Sequence, residues 1–203
     1  MPILRNWSEE LVWEWLSLRG YLTDVGVPVA TGGRGGRKEA DVLGAKVKGT
    51  NKGKTVLEIY HVEIGSLTRN LLSNVETVVK KFSDEIIKSV KDRFTKRLGT
   101  IEEVEYHKVY VDTWASNSKA KKLESDVDIN REGIKIWTMK DLYGEVLRII
   151  EEWKATPGYL VKSDLMVTLP ESYWILKLLD DLRRNNLLVS IPTNGESATS
   201  RVA

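Results

Sequence analysis

Residues Arg34 to Gly65 read RGGRKEADVLGAKVKGTNKGKTVLEIYHVEIG, two apolar runs separated by a Lys/Gly-rich turn. Each run carries acidic residues where a strand is ordinarily apolar. Side chains in a strand point to one face at every second residue, so the spacing places Glu39, Asp41, Leu43 and Ala45 on one face of the first strand. The same rule places His61, Glu63 and Gly65 on one face of the second. If the runs pair through the turn at residues 48–53, Asp41 and Glu63 arrive at the same end of a hairpin. Two carboxylates brought together repel each other unless a cation lies between them. Oxygen ligands of this kind suit a hard divalent ion. Solvated strand ends are the other account of the same two residues.

Composition narrows the chemistry around this hairpin. A chain of 203 residues fits one domain with or without a small appendage, and 41% hydrophobic residues supply a core. The net charge of +2 gives no global field for a polyanion. Locally the balance differs. From Thr31 to Lys54 seven basic residues, among them Arg34, Arg37 and Lys38, face only Glu39 and Asp41, a local charge of +5. A basic rim around an acidic pair suits a phosphate-bearing substrate that also needs a metal, although a solvated Lys/Arg loop has the same composition. The absence of cysteine excludes disulfides, thiolate zinc sites and a cysteine nucleophile, and fits a reducing cytoplasm. Only His61 and His107 are histidines, so a histidine-rich centre is excluded and a carboxylate-held ion, Mg²⁺ or Mn²⁺, is favoured. No apolar run of about 18 residues occurs, and MPILRNWSEE lacks a leader pattern. The expectation is a cytoplasmic protein without membrane contact.

Along the chain, Ser8 with Glu9 and Glu10 opens a helix ended by Gly20. YLTDVGVPV reads as a strand, and TGGRGGRK as a glycine-rich link that is not a phosphate-binding loop, since it leads into a strand and lacks the Gly-Lys-Ser/Thr ending. Beyond the hairpin, residues 66–98 read as one long amphipathic helix with a stripe from Leu71 to Val90. EVEYHKVYVDTW is a fourth strand, residues 117–126 a short helix, GIKIWT a fifth strand, and MKDLYGEVLRIIEEWK a closing helix. This gives a first domain over residues 1–155. Residues 156–192 read as a small helical appendage, with a helix beginning near Glu171; the element order is that of a winged helix-turn-helix or of a plain three-helix packing unit. Residues 193–203, small and polar, are expected to form a flexible tail.

The order helix, strand, glycine-rich link, acidic strand, acidic strand, helix, strand resembles the core of the PD-(D/E)xK nuclease superfamily, most closely its archaeal Holliday-junction-resolvase-like and RecB-like branches. The resemblance covers roughly residues 8–153 and is carried by SEELVWEWLSLRGY, EADVLG and HVEIG. It implies a restriction-endonuclease-like α/β fold, a mixed sheet flanked by helices, and metal binding by Asp41 and Glu63. It also implies a further acid on the first helix, a place held by Glu9, where helix-dipole complementation is the competing account. The family motif ends Glu-x-Lys, with the lysine supporting the attacking water, whereas this chain has Gly65 there. Some members carry that lysine on the neighbouring helix, which points to Lys80 or Lys81, with room left by Gly65. Ser66 or His61 could orient the water instead.

Two functions follow from the resemblance. The first is a metal-dependent nuclease hydrolysing phosphodiester bonds, with Asp41, Glu63 and Lys80 or Lys81 in the catalytic centre, Mg²⁺ or Mn²⁺ as cofactor, and Arg34, Arg37 and Lys38 gripping the backbone of a nucleic acid, DNA foremost. The second is a nuclease fold without full chemistry, binding DNA or serving an assembly. The missing motif lysine favours it, as do tryptophans on helix faces (Trp13, Trp15, Trp153, Trp174), which suit an interface as well as a core. A homodimer is compatible with either.

Overall fold

The computed structural model describes residues 6–31, 37–49, 55–98, 101–155 and 173–185. Among these residues five strands form one mixed sheet in the order β1-β2-β3-β4-β5, flanked by helices. β1 (Leu22–Thr31), β2 (Arg37–Gly49) and β3 (Thr55–Gly65) are joined antiparallel. β4 (Glu103–Asp112) and β5 (Ile134–Thr138) then add in parallel to β3. The switch has a topological reason. Only five residues separate β2 from β3, while a parallel neighbour needs a crossover, here α2 (Leu71–Lys81) and α3 (Asp84–Leu98).

One face of the sheet carries α1 (Trp7–Leu18), α6 (Met139–Ala155) and α7 (Trp174–Arg184). Leu11, Trp15 and Leu16 pack there with Val42, Val62, Val109, Leu142, Ile150, Ile175 and Leu176. The other face carries α3, whose Ile86, Val90 and Phe94 meet Leu43, Ala45, Leu57 and Ile59. Beside it, α2, α4 (Asn117–Glu124) and α5 (Val127–Arg131) close over Tyr110, Ile134 and Ile136.

Three local readings are corrected. The first helix is capped by Asn6, whose side chain accepts the N–H groups of Ser8 and Glu9 at 3.0 Å, so Ser8 lies inside it. Asparagine caps as well as serine does, which moves the start by two residues. The single long helix is two, because Phe82 leaves helical geometry (φ −114°, ψ 34°) to bury its ring edge-on to His61. Asp84 and Glu85 then start a new first turn. Strict alternation along β2 also fails. Ala40 shares a cluster with Leu43 and Ala45, while Val42 joins the α1 side. Val25 and Val27 of β1 divide in the same way, around Gly26 at φ +56°, a conformation that glycine adopts without steric cost. The hairpin therefore bends at Asp41, which the β1–β2 register sets opposite Gly26.

The expected segments 156–172, 186–192 and 193–203 lie outside the described residues. The helix expected near Glu171 is α7, and its Ile175 and Leu176 belong to the same core as α1.

Candidate active site

The β2–β3 ladder runs from Gly49 opposite Thr55 to Val42 opposite Val62 and stops there, where β2 bends away. One residue further on, Asp41 turns its carboxylate to the freed backbone of β3, and its Oδ2 accepts the Ile64 N–H at 2.8 Å. Glu63, 1% exposed, stands one register step from that bond. The hairpin geometry expected for the two acids is thus present, reached through a bend and a side-chain cap rather than through regular alternation.

Glu63 is held at both oxygens. Oε1 pairs with His61 Nε2 at 2.8 Å, and Oε2 accepts from Lys81 Nζ at 2.5 Å. His61, fully buried, also meets the Tyr106 hydroxyl through Nδ1 at 2.9 Å. His61 thus bridges the two, with Nε2 facing the Glu63 carboxylate and Nδ1 facing the Tyr106 hydroxyl. The resulting chain runs from Tyr106 through His61 to Glu63 and on to Lys81. Burial, with the Glu63 charge adding to it, raises the Tyr106 hydroxyl well above the ordinary tyrosine range, so it stays a donor.

Of the two candidate lysines, Lys81 is at the site. Lys80 is exposed and pairs with Glu76 at 3.6 Å, so that expectation is corrected. The helical phase explains it. Lys81 follows buried Val78 by three residues and buried Asn74 by seven, on the face α2 turns to the sheet; Lys80 is about 100° round.

Asp41 carries the electrostatic mark of the arrangement. Burial, then the Glu63 charge, lifts its carboxyl to about 7, against the opposing Ile64 N–H and Lys81, and Glu9 adds to the rise. Glu9, 5% exposed on α1 and accepting from Asn6 Nδ2 at 2.7 Å, is therefore within electrostatic reach of the pair as well as in the first turn of its helix.

Gly65 does not leave the open room expected. A Cβ there would meet the Tyr110 hydroxyl at 2.5 Å. Tyr110 lies opposite Glu63 on β4, and Asp112 opposite Gly65. Burial first, then Asp112, Asp41 and Glu63, raise the Tyr110 hydroxyl above the ordinary range. Tyr106, Tyr110 and Asp112 are site residues that the sequence reading missed. Their signal is the polar alternation Tyr106, Lys108, Tyr110, Asp112 in a strand otherwise rich in valine. Ser66 is exposed just past β3.

Arg34 lies outside the described residues, Arg37 opens β2, and Lys38 is exposed near its start. A surface hollow between β1 and α3 is lined by none of these residues; there Arg93 and Arg97 both bind Asp24, at 2.8 and 2.7 Å.

A second polar group sits on the opposite face of the sheet. Ligand atoms of Glu58, Glu105 and His107 all lie within 4.8 Å of one another, so this group could hold a metal ion. Lys48 Nζ already lies 2.5 Å from Glu58 Oε1 and 3.5 Å from Glu105 Oε2, and the Tyr21 hydroxyl donates to Glu58. Burial works against the Glu58 charge, but Lys48, Tyr21 and His107 together hold its carboxyl below the ordinary range. An ammonium thus supplies the positive charge at this place.

No helix among the described residues is long and apolar enough to cross a membrane. Compared with family models, curated proteins and solved structures, the chain matches none of them.

Proposed function

We propose that Asp41, Glu63 and Lys81 form the centre of a metal-dependent nuclease with a restriction-endonuclease-like fold. One observation carries the reading. Lys81, 18 residues beyond Glu63, brings its ammonium to 2.5 Å from Glu63 Oε2. The resembled family places its lysine two residues after the glutamate, and here the following helix supplies the equivalent charge.

The carboxylate oxygens of Asp41 and Glu63 are hard ligands of the kind Mg²⁺ or Mn²⁺ takes, and the Glu9 charge is felt at Asp41. Such an ion, when bound, neutralises charge at a scissile phosphate and acidifies an attacking water. The chain's own residues prepare the place. The Ile64 N–H fixes Asp41. His61 and Lys81 fix both oxygens of Glu63, so its orientation is set before substrate arrives. Lys81 adds a positive charge where phosphate oxygens become more negative as water adds to phosphorus and the P–O bond breaks. Lys38, with Arg34 and Arg37, would hold the backbone without reading sequence.

The second reading, a nuclease fold that binds without cleaving, is favoured by Gly65 in the motif position and by the full internal engagement of Glu63. A cleavage assay separates the two. Labelled single-stranded, duplex and branched DNA are incubated with Mg²⁺, Mn²⁺ or EDTA. Metal-dependent cleavage lost in Asp41→Ala and Glu63→Ala supports the nuclease; salt-sensitive binding without cleavage in any metal supports the binding module.

A further inference from the structure

The parallel strands β3 and β4 end side by side at the candidate site, and the loop leaving β4 is tied down there. The Thr113 N–H donates to the Gly65 carbonyl at 2.9 Å, and the Thr113 hydroxyl reaches the same oxygen at 3.2 Å. Asp112, 1% exposed, accepts the Trp114 N–H at 3.0 Å, and Ala115 packs against the cluster that holds Leu67 and Tyr110. Between these anchors the Trp114 side chain is 82% exposed, although tryptophan is ordinarily among the most buried residues. Among the described residues it stacks on no other ring. A flexible loop can drop an indole into water by accident. This loop is hydrogen-bonded at Thr113 and at the Trp114 N–H and packed at Ala115, so the ring is presented from an anchored backbone.

The strand registers locate it. Tyr110 is opposite Glu63 and Asp112 opposite Gly65, so Trp114 lies one strand over and four residues beyond the partner of Glu63, at most about 14 Å away. On the neighbouring connection from β3 to α2 Arg69 is exposed, and in the first turn of α2 Leu72 is 76% exposed.

We propose that Trp114 stacks on an unpaired base next to the scissile phosphate, so that the substrate is a single strand or the unpaired part of a branched one. The inference rests on the nuclease reading for the place of that phosphate. The chemistry is selective because a base in continuous duplex already has both faces covered. An indole on a rigid surface loop can reach it only by unstacking it, whereas an unpaired base offers its face at once. Any base will serve, since stacking uses the π-face rather than hydrogen-bonding edges.

The test measures binding apart from cleavage. Fluorescein-labelled oligo-thymidylate of about 16 nucleotides, the upper end of single-strand site sizes, and a blunt duplex of the same length are titrated by anisotropy in Ca²⁺ and in EDTA. Trp114→Ala is expected to weaken single-strand binding roughly tenfold, the loss of one base–aromatic stack, and to change duplex binding by less than about twofold, since backbone contacts remain. Trp114→Phe is expected to stay within about threefold of the unaltered protein because it keeps an aromatic face. The ring is exposed, so all three proteins should melt alike. Equal weakening on both probes, no weakening on either, or a Phe variant as weak as the Ala variant overturns the proposal. Protein that binds neither probe overturns it together with the nuclease reading. Unaltered single-strand binding by Trp114→Ala, beside cleavage that needs Asp41, overturns the stacking alone. Trp114-dependent binding with cleavage indifferent to Asp41→Ala leaves the stacking standing and removes the nuclease.

Discussion

Asp41 is where charge and burial oppose each other most directly. Its carboxyl is lifted to about 7, by burial first and then by Glu63. Between the ordinary carboxylate value of 3.8 and about 7 the folded chain holds a proton that the unfolded chain releases. Stability therefore falls as pH rises through that window, and the charged form carries the full penalty above it. At 1.36 kcal/mol per unit the penalty is on the order of 4 kcal/mol. Asp41→Asn keeps an oxygen for the Ile64 N–H without the charge. At pH 8 it should melt higher than the unaltered protein and at pH 4 at nearly the same temperature, as thermal unfolding across that range would show. On the proposed nuclease reading, a divalent ion at Asp41 competes with the same proton. Mg²⁺ should therefore raise the melting temperature at pH 8, do little at pH 5.5, and do nothing in the Asn variant. The two adjacent lysines give a sharper contrast. On the proposed nuclease reading, Lys81→Ala should lower cleavage by about a hundredfold or more, the scale of one well-placed electrostatic group, while Lys80→Ala, which loses only an exposed pair with Glu76, should leave the rate within about twofold.

At the scale of elements, the hairpin was legible because apolar alternation and the Lys/Gly turn agree with each other. The helix face was legible in principle. The buried run Asn74, Val75, Val78 already points to Lys81 rather than Lys80. The apolar stripe runs on through Phe82 into α3, so the break at Phe82–Ser83 carries no sequence signal and the phase is blurred. The bend at Asp41 was not legible, since it depends on Gly26 in the partner strand. Nor was the role of Gly65, because nothing local says that β4 will lie beside β3 and bring Tyr110 into that space. The contact makes its own prediction. Gly65→Ala should destabilise by about 1–3 kcal/mol, the usual cost of overpacking. Only the Tyr110 hydroxyl is too close; the next ring atom would lie at an ordinary 3.5 Å. Adding Tyr110→Phe to Gly65→Ala should therefore recover most of the loss, and chemical denaturation of the two single variants and the double would measure that coupling.

Across the whole molecule, the boundary read near residue 155 separates sequence segments more cleanly than it separates the core. The Tyr173 N-cap of α7 makes no side-chain capping bond. Glu14, fully buried on α1, supplies one instead. Its two oxygens accept the N–H groups of Ile175 at 3.2 Å and Leu176 at 2.8 Å, across 161 and 162 residues, while Glu10 accepts from the Trp174 indole. No local pattern announces such a cap, because the two halves meet only once the sheet has formed between them. Burial lifts the Glu14 carboxyl to about 7 against the pull of those N–H groups. The acid is thus retained in a place that burial disfavours, and its partners are the otherwise unsatisfied donors of the helix start. Glu14→Ala should strand those donors and cost about 2–4 kcal/mol, from two lost bonds to buried backbone groups. Hydrogen exchange should show the amides of α7 opening first in that variant, ahead of those in β3. A chain ending at residue 155 loses more, since Ile175 and Leu176 leave the cluster around Leu11 and Trp15 and uncover it. It should melt well below the Glu14→Ala variant or fail to fold. A truncated chain as stable as the full one would mean that α7 merely rests on the surface.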